Sequence, residues 1–241
     1  MKYWLLGLLT TILVFNCKMV MASNADSIVV VTEEWPPYNY RAPDGTIIGI
    51  ATDKVRKVLE EAKVDYSIDI YPWTRAYKLA TEKPNTAIYS IVKTSERTPL
   101  FHWFCPVVEV KYFIFRLKNN QSVKINSFDE IKKYTLGLSR GTFFYQLLKK
   151  EGYNEGEHFH ATSSTLANVR ELLHKRVEII ADTKENIAVQ LKMLNVAADA
   201  LEAIYQLKHA SIGENCLALS LGTPQKIIDR ISASFKKVNS K

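Results

Sequence analysis

Apolar and polar positions along the chain change period several times, and each change marks an element. Residues 27–32 form a β-branched run that stops at Glu33-Glu34-Trp35-Pro36-Pro37, where two prolines cannot continue a ladder, so a strand ends there. Asp44-Gly45 predicts a turn. Val55, Val58, Leu59 and Ala62 then recur at the spacing of one helix face. Residues 66–71 alternate as a strand, Pro72 breaks it, and residues 73–81 read as a helix with Ala76, Leu79 and Ala80 turned inward. Residues 86–92 are the next strand. This β-α-β-α-β rhythm predicts a parallel sheet with helical crossovers.

Residues 107–117 read as one long apolar strand without helical periodicity, and after it the rhythm begins again. Ser127 and Glu130 have the Ser-x-x-Glu spacing of a capping box, which predicts a short helix ending near Lys133. A strand over 134–139 leads to Gly141-Thr142 and a helix that closes at Glu151-Gly152. Leu166, Val169, Leu172 and Leu173 share the face of a further helix. The strand 177–181 runs into Asp182, and residues 186–194 are helical. Residues 201–207 and 216–221 are expected as return strands, and Ile227, Ile228, Ile231 and Phe235 give the closing helix an apolar stripe. Two similar α/β units result. No low-complexity linker or membrane-spanning run separates them, which predicts lobes packed across a cleft.

The first residues add a compartment. Lys2 supplies a positive n-region, residues 4–15 are a nearly uncharged apolar stretch, and Val20-Met21-Ala22 offers a small-residue cleavage site, so residues 1–22 read as an export signal cleaved after Ala22. The apolar run falls short of the roughly 20 residues a bilayer requires. Cys17 is preceded by Phe15-Asn16 instead of small residues, which argues against lipid attachment. Cleavage removes Lys2 and Lys18, lowering the formal charge of +7 by two. The remaining charges are scattered, with no dense basic block, so nucleic acid is not expected as a partner. Cys105 and Cys216 are the cysteines left after cleavage. An oxidising compartment lets them pair if their Cα atoms come within about 7 Å; otherwise they are two buried thiols. The five His are dispersed and no Cys-x-x-Cys occurs, so neither a metal nor a cofactor is expected.

In open α/β sheets ligands sit beyond the carboxyl ends of strands. Glu34-Trp35, the segment 90–97, Gly141-Thr142 and Asp182 occupy such places. Arg97 offers a guanidinium fork to a carboxylate, with Thr94 as a further donor. Gly141-Thr142 at a helix start offers backbone amides and the favourable dipole end to an anion, or serves only as turn and cap. Asp182 can receive an ammonium or cap the following helix. A cation fork, an anion nest and an acid spread over two lobes match a zwitterion.

Glu34-Trp35-Pro36-Pro37-Tyr38, Asp44-Gly45, Gly49-Ile50-Ala51-Thr52-Asp53, Pro72-Trp73, Thr94-x-x-Arg97, Gly141-Thr142 and Asp182, in that order, resemble the bacterial extracellular solute-binding proteins of family 3, the periplasmic components of polar amino-acid ABC importers. The resemblance covers essentially the whole mature chain. It implies an α/β, two-lobed type II periplasmic binding protein fold, each lobe a mostly parallel sheet flanked by helices. Lobe one is then residues 23–109 with 209–241, and lobe two is 110–208. It also implies that Arg97 and Thr142 hold a ligand carboxylate. Asp182 and a group near Ser90 hold an amine, and Trp35 and Trp73 pack on the side chain. Val92 and Phe143 depart from the family's small polar groups, leaving fewer hydrogen bonds for an amino acid. Arg75, in Pro72-Trp73-Thr74-Arg75, adds a cation near the cleft. The expected partners are a small amino-acid-like molecule and an ABC permease in the inner membrane, with the receptor a monomer. No nucleophile motif such as Gly-x-Ser-x-Gly occurs, and a non-enzymatic role is expected. A cyclohexadienyl-type dehydratase on the same fold is the enzymatic alternative, with Glu33 or Glu34 as general acid or base. A stand-alone solute sensor is the other.

Overall fold

The computed structural model describes residues 27–208 and 214–240; the export signal and its cleavage site lie outside the described residues. The chain begins with β1 (Ser27–Thr32), followed by the short hairpin β2 (Tyr40–Arg41) and β3 (Ile47–Ile48) around Asp44-Gly45. Asp44 fixes that turn by accepting hydrogen bonds from the Thr46 amide and hydroxyl at 2.9 and 2.6 Å. Next come α1 (Ile50–Glu61), β4 (Asp65–Ile70), α2 (Trp73–Glu82) and β5 (Thr86–Val92). β1 pairs in parallel with both β4 and β5, as the β-α-β-α-β rhythm predicts. Every residue of β5 is buried, as expected of a central strand covered on both faces.

β6 (Phe101–Val108) closes this part of the chain, and β7 (Tyr112–Leu117) opens the second sheet. The apolar run 107–117 is therefore not one strand. Exposed Glu109 and Lys111 flank half-buried Val110 at a break where the chain passes from one sheet to the other. The second half continues through a 3₁₀ turn over Phe128–Lys133, then β8 (Leu136–Ser139), α3 (Phe143–Lys150), β9 (Phe159–Thr162) and α4 (Thr165–Leu173). β10 (Ile179–Thr183), α5 (Lys184–Met193) and β11 (Leu201–Gln206) complete it. The chain then returns to the first sheet as β12 (Asn215–Ser220) and ends in α6 (Gln225–Asn239).

The expected capping box does not form. The Ser127 side chain makes no cap bond, and Glu130 Oε2 accepts from the Asn126 amide at 2.7 Å instead, so the segment stays a 3₁₀ turn. β9 carries no sequence signal of its own: only Phe159 is fully buried among its four residues. It forms because β8 offers a parallel edge, Leu136 to Ser139 pairing with Phe159 to Thr162.

The first sheet has the order β4-β1-β5-β12-β6 and the second β11-β7-β10-β8-β9. In each, three parallel strands are extended by antiparallel ones. Helices α1 and α6 cover one face of the first sheet through Val55, Leu59, Ile227, Ile231 and Phe235, while α2 covers the other through Trp73, Ala76 and Ala80. In the second sheet α3 packs on one face and α4 and α5 on the other. The molecule is thus a two-lobed α/β fold whose lobes are joined by the crossovers after β6 and after β11. Cys105 and Cys216 form a disulfide between β6 and β12, with their Cα atoms 4.5 Å apart.

Candidate functional site

A cavity of about 70 Å³ lies between the lobes. Glu33, Trp35, Trp73, Ser90, Val92 and Arg97 line it from the first lobe. Tyr112, at the crossover, and Ser139, Thr142, Phe143, Thr165, Asn168 and Asp182 are among those lining it from the second. Most of these residues lie at or just past strand ends or in the first turn of a helix, where the two sheets present the carboxyl ends of their parallel strands, while Tyr112 opens the antiparallel strand β7.

Arg97 follows β5 and is only 5 % exposed. Its guanidinium lies 5.2 Å from the ring centres of both Trp73 and Tyr77, within cation–π range. Nη1 donates to the Val92 carbonyl at 3.1 Å and Nη2 to the Gly141 carbonyl of the other lobe at 3.3 Å. Burial lowers its pKa, partly opposed by Tyr77 and Glu33. Trp73 is both core and site: 4 % exposed, it packs in the α2 face and sends Nε1 to the Gly141 carbonyl at 2.7 Å. Gly141 has φ 75°, and a Cβ there would stand 3.1 Å from Thr74 Cγ2, so only glycine suits this approach between lobes.

Thr142 is the N-cap of α3. Its hydroxyl donates to the Ser139 carbonyl at 2.8 Å and accepts from the Tyr145 amide. The first amides of α3, at Phe143 and Phe144, have no intrahelical acceptor by helix geometry, and both residues line the cavity. Helix start and Arg97 together make an anion-compatible end of the site.

Asp182, 6 % exposed, is the penultimate residue of β10; the cap of α5 is Thr183, which accepts from the Asn186 amide at 3.1 Å. Asp182 Oδ1 accepts from Trp35 Nε1 at 3.0 Å and the Thr183 amide at 2.6 Å. Oδ2 accepts from Thr165 Oγ1 at 2.8 Å and Asn186 Nδ2 at 3.0 Å. Burial raises its pKa, and these donors oppose the rise.

Ser90 reaches the cavity by a backbone irregularity. It sits at φ 57°, where the β5–β12 register shifts so that Cys216 pairs with Ile91 and Leu217 with Tyr89. Such a bulge re-aims one side chain. Its hydroxyl donates to Asn39 Oδ1 at 2.5 Å, and Asn39, fully buried, donates Nδ2 to the Glu33 carbonyl at 2.7 Å.

Three residues expected at the site stand elsewhere. Glu34 is exposed, its carboxylate accepting from the Arg41 amide at 3.2 Å, because adjacent residues of an extended chain face opposite ways and Glu33 takes the inward place. Arg75 lies 4.4 Å over the Tyr71 ring, outside the cavity. Thr94 lines a neighbouring groove of about 710 Å³, which shares Trp73, Arg97 and Phe143 with the cavity. Tyr112, Ser139, Thr165 and Asn168 also line the cavity, and none of them sits in a motif recognisable from the sequence. Glu33, expected only as an enzymatic acid, lines the cavity as well. Burial first, and Asp182 second, push the Glu33 carboxyl up to about 8, with Arg97 pulling the other way.

The family model for bacterial extracellular solute-binding proteins, family 3, matches residues 28–206. The chain belongs to that family. Among solved structures, this family 3 solute-binding protein is similar to a histidine kinase sensor domain resembling periplasmic binding proteins, at 15 % identity and TM-score 0.77, over 89 % of this chain and 90 % of that one. An ancestral arginine-binding protein bound to arginine matches at 17 % identity and TM-score 0.76, covering 90 % and 93 % of the two chains. A Salmonella typhimurium periplasmic binding protein of high arginine specificity matches at 17 % and 0.72, covering 89 % and 94 %. At these identities the likeness concerns the fold. Among the described residues no helix is long and apolar enough to cross a membrane.

Proposed function

We propose that this protein captures a small zwitterionic or carboxylate-bearing solute, an amino acid or a compound like one, between its lobes. The observation that carries the reading is the facing of buried Arg97 in one lobe and the start of α3 in the other across a cavity that also holds two carboxyl groups. A carboxylate there would meet a buried guanidinium and a helix dipole, and the low local dielectric strengthens both. The cavity is small beside the 300–1,000 Å³ or so of drug-sized ligand pockets. It suits the head group of an amino acid, and the adjoining groove gives a longer side chain a way out past Trp73 and Phe143. Residues 23–109 with 209–241 would move as one lobe and 110–208 as the other. Export behind residues 1–22, with cleavage after Ala22, would place the receptor in a periplasm, where it would deliver its solute to an ABC permease. The arginine-binding relatives support an amino-acid ligand; the sensor-domain relative supports solute sensing as the alternative output.

A thermal-shift screen of amino acids, small peptides and organic acids tests the reading. A ligand at about 100 times its dissociation constant stabilises by about 2.7 kcal/mol. Arg97→Ala is expected to cost on the order of 2–5 kcal/mol of affinity for the ligand found, measured by titration calorimetry; an unchanged constant refutes the role of Arg97. Glu33, whose carboxyl is pushed up to about 8 in the cavity between the lobes, is the observation that favours a dehydratase as second reading, since it could carry a proton to a leaving group at neutral pH. Incubation with prephenate or arogenate without aromatic product dismisses that reading.

A further inference from the structure

Two carboxyl groups face the cavity, but only one has capacity to spare. Asp182 accepts four protein hydrogen bonds, two on each oxygen, which fills the roughly four acceptor sites of a carboxylate. Three of those donors, the Thr183 amide, Thr165 and Asn186, come from its own lobe and hold it whether or not a solute is present. The fourth, Trp35, crosses from the other lobe, so Asp182 serves closure. Glu33 differs. Its carboxylate has no hydrogen-bond donor among the described residues, although it lines the same cavity. The main chain beneath it is fixed: its carbonyl accepts from buried Asn39, which is held in turn by Ser90. Glu33 is only partly buried, so a carboxylate facing the cavity without a protein donor stands open to a donor supplied by water or by a ligand.

We infer that Glu33, and not Asp182, receives the ammonium group of the bound solute, and that the exchange of a proton for that ammonium makes capture pH-dependent. The inference rests on the proposed capture of an amino-acid-like solute and narrows it to primary amines that carry a carboxylate. The groups facing Glu33 are Asp182 from β10, Arg97 after β5 and Tyr112 at the start of β7. Burial and Asp182 favour the protonated carboxyl over the pull of Arg97, so the empty site holds a neutral acid at neutral pH. On binding, the Glu33 O–H bond breaks and its proton leaves to solvent. The carboxylate that remains accepts from the incoming ammonium, which keeps its own protons. The cavity then holds two cations and two acids besides the solute carboxylate, and the latter is met by Arg97 and the α3 amides.

The test compares each common L-amino acid with the 2-hydroxy acid of the same side chain, by calorimetry on the full mature chain, in wild type, Glu33→Gln, Glu33→Asp and Asp182→Asn. Wild type is expected to prefer at least one amino acid over its hydroxy acid by about tenfold or more. Its affinity should rise with pH, approaching about tenfold per unit at most, and level off near 8. Titrations in two buffers of different ionisation enthalpy should report a proton released per amino acid bound. Glu33→Gln should lose the preference, the pH slope and the proton release together, while Glu33→Asp keeps them in part and Asp182→Asn weakens both ligands alike. Thermal midpoints identify any variant that fails to fold, and the wild-type pH slope and proton count need no variant. A hydroxy acid that binds as tightly as its amino acid, or a preference retained in Glu33→Gln or lost only in Asp182→Asn, overturns the role of Glu33 and leaves the capture of a carboxylate standing. Binding of neither class overturns the capture reading, and this inference with it.

Discussion

Glu33 and Glu34 are chemically identical neighbours with opposite fates. Glu34 reaches solvent and the Arg41 amide, whereas Glu33 turns inward toward Asp182 and Arg97. The difference has a consequence for stability without any ligand. The unfolded chain has an ordinary carboxyl near 4.5, and burial, followed by Asp182, pushes the folded value to about 8. Between those values the folded state binds the extra proton, so this group's contribution is full at low pH and is lost as pH rises through about 8. The thermal midpoint of the ligand-free protein is therefore expected to decline from about pH 5 to pH 8, and Glu33→Gln to flatten that decline; a wild-type and variant decline of equal steepness would assign it to other groups. Residue type alone suggested an acid near the cleft, but parity at the end of β1 decided which one.

The elements most visible in the sequence are those whose signal is local. α1, α2 and α6 follow from apolar spacing, and β1 from a β-branched run closed by two prolines. β9, and the division of residues 107–117 between β6 and β7, depend on which sheet edge is available, and no window of sequence contains that information. The bulge at Ser90 belongs to the same class: it arises because β12 pairs with β5 from far along the chain. A β-branched residue fits poorly at φ 57°. Ser90→Val is expected to destabilise by about 1–3 kcal/mol in urea denaturation, and Ser90→Gly by less, since glycine accepts the backbone and loses only the bond to Asn39. Equal losses would show that the hydroxyl, not the backbone, governs this position.

Across the whole molecule the lobes are held together by contacts that gather around the cavity. Trp35 donates to Asp182, Tyr38 to Glu185 at 3.2 Å, Trp73 and Arg97 to the Gly141 carbonyl, and Lys150 pairs with Glu96 at 2.7 Å. Glu96–Lys150 is exposed and adds little. The part-buried bonds to the Gly141 carbonyl are the more important, and they require the backbone to approach Thr74 and Trp73 without a Cβ. Gly141→Ala is thus expected to strain the left-handed backbone where the lobes meet and to press on Thr74, weakening solute binding by about tenfold or more in titration calorimetry. An unchanged affinity would mean that the junction between the lobes tolerates a side chain there.

The repeated α/β rhythm, the main helices and strands, the family, and several cavity residues, including Trp35, Trp73, Ser90, Arg97, Thr142 and Asp182, are legible in the order of amino acids. Those features are written in periodicities, turn residues and short motifs that act over a few positions. That Glu33 instead of Glu34 faces the cavity, that four donors surround Asp182, and that Cys105 meets Cys216 follow from the packing of the folded chain. Each of these depends on segments brought together from far apart, as when Trp35 meets Asp182 across 147 positions. The competition of donors for one carboxylate is settled in space.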